Sequence, residues 1–98
     1  MRFIEKIADQ LHEELDGAKE YAEKYIENKA KGNSTRSLRF KDMASDELRH
    51  AQYIHDFAVA DMEDIKKVYT LTDPEEEAWN HICKHYAECS AIIRMMLV

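Results

Sequence analysis

A chain of 98 residues makes one domain with a modest core, and with 45% hydrophobic and 35% charged residues, two Gly and one Pro, it reads as almost entirely helical. The formal charge of −6 speaks against DNA, RNA or an anionic membrane as partner, because phosphate recognition needs clustered Lys and Arg, and is compatible with attracting cations. No apolar run approaches the ~20 residues of a bilayer span, and charges break the opening Met-Arg-Phe-Ile-Glu-Lys-Ile, so no membrane association and a cytoplasmic location are expected.

A first helix is expected from about Arg2 to about Lys31. Steps of three and four align Ile4, Ile7, Leu11, Glu14, Ala18, Tyr21 and Tyr25 on one stripe, widened by Phe3, Ala8, Leu15, Ala22 and Ile26. A glutamate thus takes a core position. Gly17 costs ~1 kcal/mol relative to Ala inside a helix, which a close helix approach would explain. The segment Lys31-Gly-Asn-Ser-Thr-Arg-Ser37 then punctuates the pattern, with Gly32 as C-cap and Asn33, Ser34 or Thr35 as the next N-cap. So short a connection implies antiparallel neighbours.

The second helix runs from about Thr35 or Arg36 to about Tyr69. Its stripe reads Phe40, Met43, Glu47, His50, Ile54, Phe57 or Ala58, Asp61, Ile65 and Val68, so an acid and a histidine one turn apart interrupt what ought to be a buried seam. A buried carboxylate is costly unless it is paired, hydrogen-bonded or bound to a metal. With a turn near residues 31–35, Glu14 lies about as far before it as Glu47 and His50 lie after it, within a few ångström at ~1.5 Å per residue. The three side chains can therefore share one site.

Thr70-Leu-Thr-Asp-Pro-Glu-Glu-Glu77 marks the next break, with Thr72 or Asp73 as N-cap, Pro74 at the first helical position and acids in the first turn. The third helix presents Ala78 or Trp79, Ile82, Tyr86, Cys89, Ile92 or Ile93, and Met96. The expected architecture is all-α: one domain, an up-down-up three-helix unit with helices at about 2–31, 35–69 and 74–97. Cys83 and Cys89, six apart, fall on different sides of one helix and read as buried free thiols of a reducing compartment. His81, His85 and Glu88 stand at steps of four and three and can reach one ion, with exposed or hydrogen-bonded roles as the plainer reading; His85 is the best placed. His12 and His55 sit beside their seams and read as boundary residues, and Asp61 as a solvent-reaching carboxylate.

Two carboxylates and an imidazole form a mostly hard donor set suited to iron, manganese or zinc, and neither Cys falls into a structural-zinc pair such as Cys-x-x-Cys. At this point the residues resemble a known family, the ferritin-like di-iron carboxylate proteins, which include rubrerythrins and encapsulated ferritins. Leu11-His-Glu-Glu14-Leu-Asp-Gly-Ala-Lys-Glu-Tyr21 resembles the family's first helix and Asp46-Glu47-Leu-Arg-His50-Ala51 its second, over roughly residues 3 to 58. By that resemblance Glu14, Glu47 and His50 are metal ligands, with Tyr21 a nearby aromatic partner. A complete bundle of this kind needs a second Glu and a second Glu-x-x-His, and the third helix has no Glu-x-x-His. The resemblance therefore implies a half bundle whose di-iron centre is completed across the two-fold axis of a homodimer, the third helix capping the bundle or mediating further assembly. It also implies a ferroxidase-type activity, Fe(II) oxidised by O2 in iron storage or oxidative-stress protection. The competing reading is a non-enzymatic helical dimer or adaptor whose seam acids and histidine set pairing specificity.

Overall fold

In a computed structural model describing residues 1–98, the chain forms α1 (Arg2–Ala30), α2 (Ser34–Val68) and α3 (Asp73–Met96), with no strand. The all-α, three-helix expectation holds, and each helix begins and ends within two residues of where the caps placed it. No helix is long and apolar enough to cross a membrane.

Both breaks are built by local chemistry. At the first, Gly32 takes φ 76°, the left-handed conformation that glycine adopts without a Cβ clash. Its N–H donates to the Lys29 carbonyl and the Asn33 N–H to that of Asn28, the paired bonds of a Schellman turn. Asn33 then caps α2, its side chain accepting from the Arg36 N–H at 3.2 Å. At the second break Thr72 and Glu75 form a capping box: Thr72 Oγ1 accepts from the Glu75 N–H, and Glu75 Oε1 accepts from the Thr72 N–H at 2.9 Å. Glu75 also accepts from the Tyr69 hydroxyl at 3.0 Å and lies 3.7 Å from the amino group of Met1. That one carboxylate ties the α2–α3 connection to the start of α1, and the Thr72 backbone bond holds it below the usual carboxylate range.

The hairpin of α1 and α2 is seamed by small side chains. In α1, Ile4, Leu11, Ala18 and Tyr25 recur every seven residues, flanked by Leu15 and Ala22; in α2, Ser37, Ala44, Ala51 and Ala58 do the same, flanked by Leu48 and Met62. Ala18, Ala22, Ala44 and Ala51 are sealed from solvent, which lets the two backbones approach closely. This corrects the expected α2 stripe. Met43 and Asp61 are exposed, as are Phe57 at 71% and Val68 at 89%, while Phe40 and Ile54 are half-buried. The seam lies one strip around the helix, because four small residues, not the large apolar ones, face α1.

The third helix runs parallel to α1 and buries Trp79, Ile82, Ser90 and Ile93. Trp79 meets Phe3 with ring centroids 6.3 Å apart, and farther along Cys89, Ile92 and Ile93 share a depression with Leu15 and Lys19. Its contact with α2 is lighter, with His55 stacked on Tyr86 at 4.2 Å. Beyond Lys19 of α1 and before Ser45 of α2, the hairpin projects past α3 as a two-helix arm. The molecule is accordingly a rod of 55 × 19 × 18 Å, and its radius of gyration is 16.0 Å. A sphere-like chain of this length would have about 13 Å.

Candidate metal centre

Glu14 projects from the middle of α1, and Glu47 and His50 from the middle of α2, where the antiparallel hairpin sets them at one height. Each offers a donor atom, and these atoms all lie within 4.8 Å of one another. Oε2 of Glu14 is buried and makes no hydrogen bond, and His50 Nδ1 lies 3.5 Å from it. A buried carboxylate oxygen left unpaired costs roughly 1–3 kcal/mol or more, so this atom lacks something that the chain itself does not supply.

Glu47 shows the same deficit in its protonation. Its carboxyl is pushed up to about 7, first because it shares a hydrogen bond with Glu14, then by burial and by the negative charge of Glu14, with His50 pulling the other way. Two carboxylates face each other, and Glu47 keeps its proton to higher pH than a free carboxyl does. That is the arrangement in which a divalent cation replaces the proton with gain, since the cation satisfies both acids at once. The donor set of two oxygens and one imidazole nitrogen fits iron, manganese or zinc.

Gly17 belongs to this site. A Cβ built on it would lie 3.3 Å from Glu47 Oε2, so the glycine one turn after Glu14 leaves the space that the Glu47 carboxylate occupies. The close approach expected at Gly17 is thus to a side chain of α2. Tyr21, two turns beyond Glu14 on α1, stacks on Phe40 of α2 with ring centroids 6.3 Å apart.

The centre is shallower than a core seam. The side chain of His50 is 52% exposed and that of Glu14 24%. Glu14 and His12 point about 200° apart around α1, and His12 is on the flank that meets α3, so the centre faces the other way. It opens on the uncovered flank of the hairpin, framed by Phe40, Met43, Ile54 and Phe57. The largest surface depression, about 360 Å³ and lined by Ser45, Leu48, Arg49, Gln52, Arg94 and Leu97, includes none of the three donors.

The other expected cluster does not assemble. Glu88 turns to Lys84 at 3.9 Å, away from His81 and His85, whose rings are 6.1 Å apart. His85 instead meets His12 of α1, ring centroid to ring centroid 4.9 Å, and Cys89 of its own helix. His12 was expected beside the seam as a boundary residue, and it is exposed at the edge of α1 that meets α3. The signal for that edge was the row His12, Leu15, Lys19 on one flank of α1. Cys83 and Cys89 are free, and burial holds both thiols above their ordinary range.

No protein-family model matches this sequence, and it matches no curated protein and no solved structure significantly.

Proposed function

We propose that Glu14, Glu47 and His50 are one half of a di-iron centre that a second copy of the chain completes, and that the protein binds Fe(II) there and lets dioxygen oxidise it. The observation that carries this reading is the facing pair of carboxylates, one with a buried unpaired oxygen, set beside an imidazole on the one flank that the chain leaves open. The Glu14–His50 approach at 3.5 Å serves the adaptor reading equally, and the Glu47 carboxylate facing Glu14 is what that reading leaves unexplained. Exposed Phe57 and Met43 beside the donors give a second copy apolar surface to cover, and an isologous contact brings each half-site to its own duplicate.

Iron supplies the redox chemistry: two Fe(II) ions lose one electron each, and dioxygen with two protons becomes hydrogen peroxide. The chain's own part is binding and charge balance. Glu47 would give up its raised proton to solvent on taking up a cation, and the negative charge of the two carboxylates would favour the higher oxidation state. His50 contributes an imidazole nitrogen. Manganese or zinc fits the same donors without supporting that oxidation. Iron storage or protection against oxidative stress is the corresponding role, and the cytoplasm, which keeps iron reduced and thiols such as Cys83 and Cys89 free, is the matching compartment.

Anaerobic loading with Fe(II), desalting, and iron analysis of each species on a column with light-scattering detection tests the proposal. About one iron per chain, on a dimer or a multiple of it, is expected from two half-sites meeting in one centre. Glu14→Ala, Glu47→Ala and His50→Ala should each lose that iron with helicity unchanged. Iron retained on a monomer overturns the two-copy centre. Absence of iron on folded protein, or unchanged iron in all three variants, overturns the assignment altogether.

A further inference from the structure

We infer that a second copy of the chain docks antiparallel on the open flank, α2 against α2, across a two-fold axis that passes between Glu47 and His50 at right angles to the rod, so that Arg36 of each chain meets the partner's Asp61. The pairing deepens the two-copy centre proposed above and rests on it for the choice of partner.

The register is written in α2. Four, seven and eleven positions before Glu47 stand Met43, Phe40 and Arg36; four, seven and eleven positions after His50 stand Ile54, Phe57 and Asp61. Those steps return to one face of a helix, so these residues line a single strip with the donors at its middle. Turned end for end against a copy of itself, the strip sets Glu47 against His50, Met43 against Ile54, Phe40 against Phe57 and Arg36 against Asp61. An acid meets an imidazole, apolar meets apolar, and cation meets anion. An isologous contact makes each of these pairs twice.

The surface is free to make them. Arg36, Met43, Phe57 and Asp61 are exposed, and Phe40 and Ile54 are half-buried. Neither Arg36 nor Asp61 has an ion pair within the chain. Phe57, 71% exposed, gains cover that nothing in its own chain provides.

Two helical layers stacked face to face by a two-fold have two choices of axis, along the rod or across it. Either one stacks centre on centre, so the ends decide. Residues 24–41, at the free end of the arm, carry six Lys and Arg and one acid, Glu27, whereas residues 56–77, at the opposite end, carry eight acids and two lysines. An axis along the rod lays basic end on basic end and acidic on acidic, and like charges in register repel. An axis across the rod lays each basic end on the partner's acidic end. A polyanion seated on the basic end would meet Glu47 and Asp61 farther along the same strip, so a second copy fits the whole of it better.

A charge swap tests the pairing, read by sedimentation equilibrium of the full chain at low salt, under nitrogen, with Fe(II) added at one per chain. The parent is expected as a dimer. Arg36→Asp sets acid against the partner's Asp61 twice per dimer, and Asp61→Arg sets cation against Arg36 twice, so each should raise the dimer dissociation constant about tenfold or more. Mixed in equal amounts, the two variants should pair with each other at parental affinity, since both contacts are then opposite in charge, and native mass spectrometry should find the mixed dimer in excess over either homodimer. Both positions are exposed, so the fold is kept, which far-ultraviolet dichroism verifies. A monomeric parent, parental affinity in both single variants, or a mixture that stays monomeric overturns the pairing. Iron reports separately: a dimer that ignores the swaps yet retains iron leaves the centre standing and sinks this register, and swaps that behave as stated in a protein holding no iron leave the pairing standing and sink the centre.

Discussion

A methyl group that is not there decides where Glu47 sits. Gly17 occupies a helix interior at a cost of ~1 kcal/mol relative to Ala, and what it yields is clearance for a carboxylate. Gly17→Ala recovers that propensity but places its Cβ 3.3 Å from Glu47 Oε2, and a side-chain terminus moves aside by a few tenths of an ångström more easily than a helix does. Thermal melts should show the metal-free variant more stable than the parent, while Fe(II) retention falls; unchanged retention would detach Gly17 from the centre. The raised proton of Glu47 has its own signature. With the Glu47 carboxyl raised to about 7 from its ordinary 4.5, the folded chain binds a proton that the unfolded chain releases between those values. Stability from this group is complete below the ordinary carboxylate range and is lost as pH rises through about 7. The melting temperature of metal-free protein should therefore drop between about pH 5 and pH 8, and Glu47→Gln, which keeps a hydrogen-bond donor at all pH values, should flatten that drop. A slope identical in the two proteins would show that the Glu47 proton is not what moves it.

At the scale of elements, the α1–α2 seam is a ladder of small residues in a heptad register, and its tolerance is set by backbone proximity. Ala51→Leu forces a branched side chain into a position fully closed to solvent and should cost about 1–3 kcal/mol, read from the urea midpoint. Val68→Ser, at a site almost fully exposed, should stay within about 0.5 kcal/mol of the parent. The contrast inverts the ranking that hydrophobicity assigns to these positions, and it explains what was legible. Caps are local chemistry, so Gly32, Asn33, Thr72 and Pro74 marked the helix ends within two residues. Helix rotation is decided by a partner, and period counting favoured Met43, Phe57 and Val68 because they are large and apolar, whereas close approach selected Ala44, Ala51 and Ala58. The clustering of Glu14, Glu47 and His50 was legible despite that error, since i, i+3 spacing and equal distance from the turn survive a rotation of the helix. Their depth was not, because burial depends on which strip faces α1.

For the whole molecule, the rod shape and the open flank follow from α3 being shorter than the hairpin it covers and lying to one side of it. The iron-loading experiment belongs to this scale, because one chain carries only half of the proposed donor set and the second half must come from a neighbour. Glu14 and His12 are two positions apart in sequence yet point to opposite sides of a cylinder ~10 Å across. Because of that offset, α1 acts as a partition wall, with the Glu14 face on the open flank and the His12 face against α3, so a substitution made on one face is read out on that side alone.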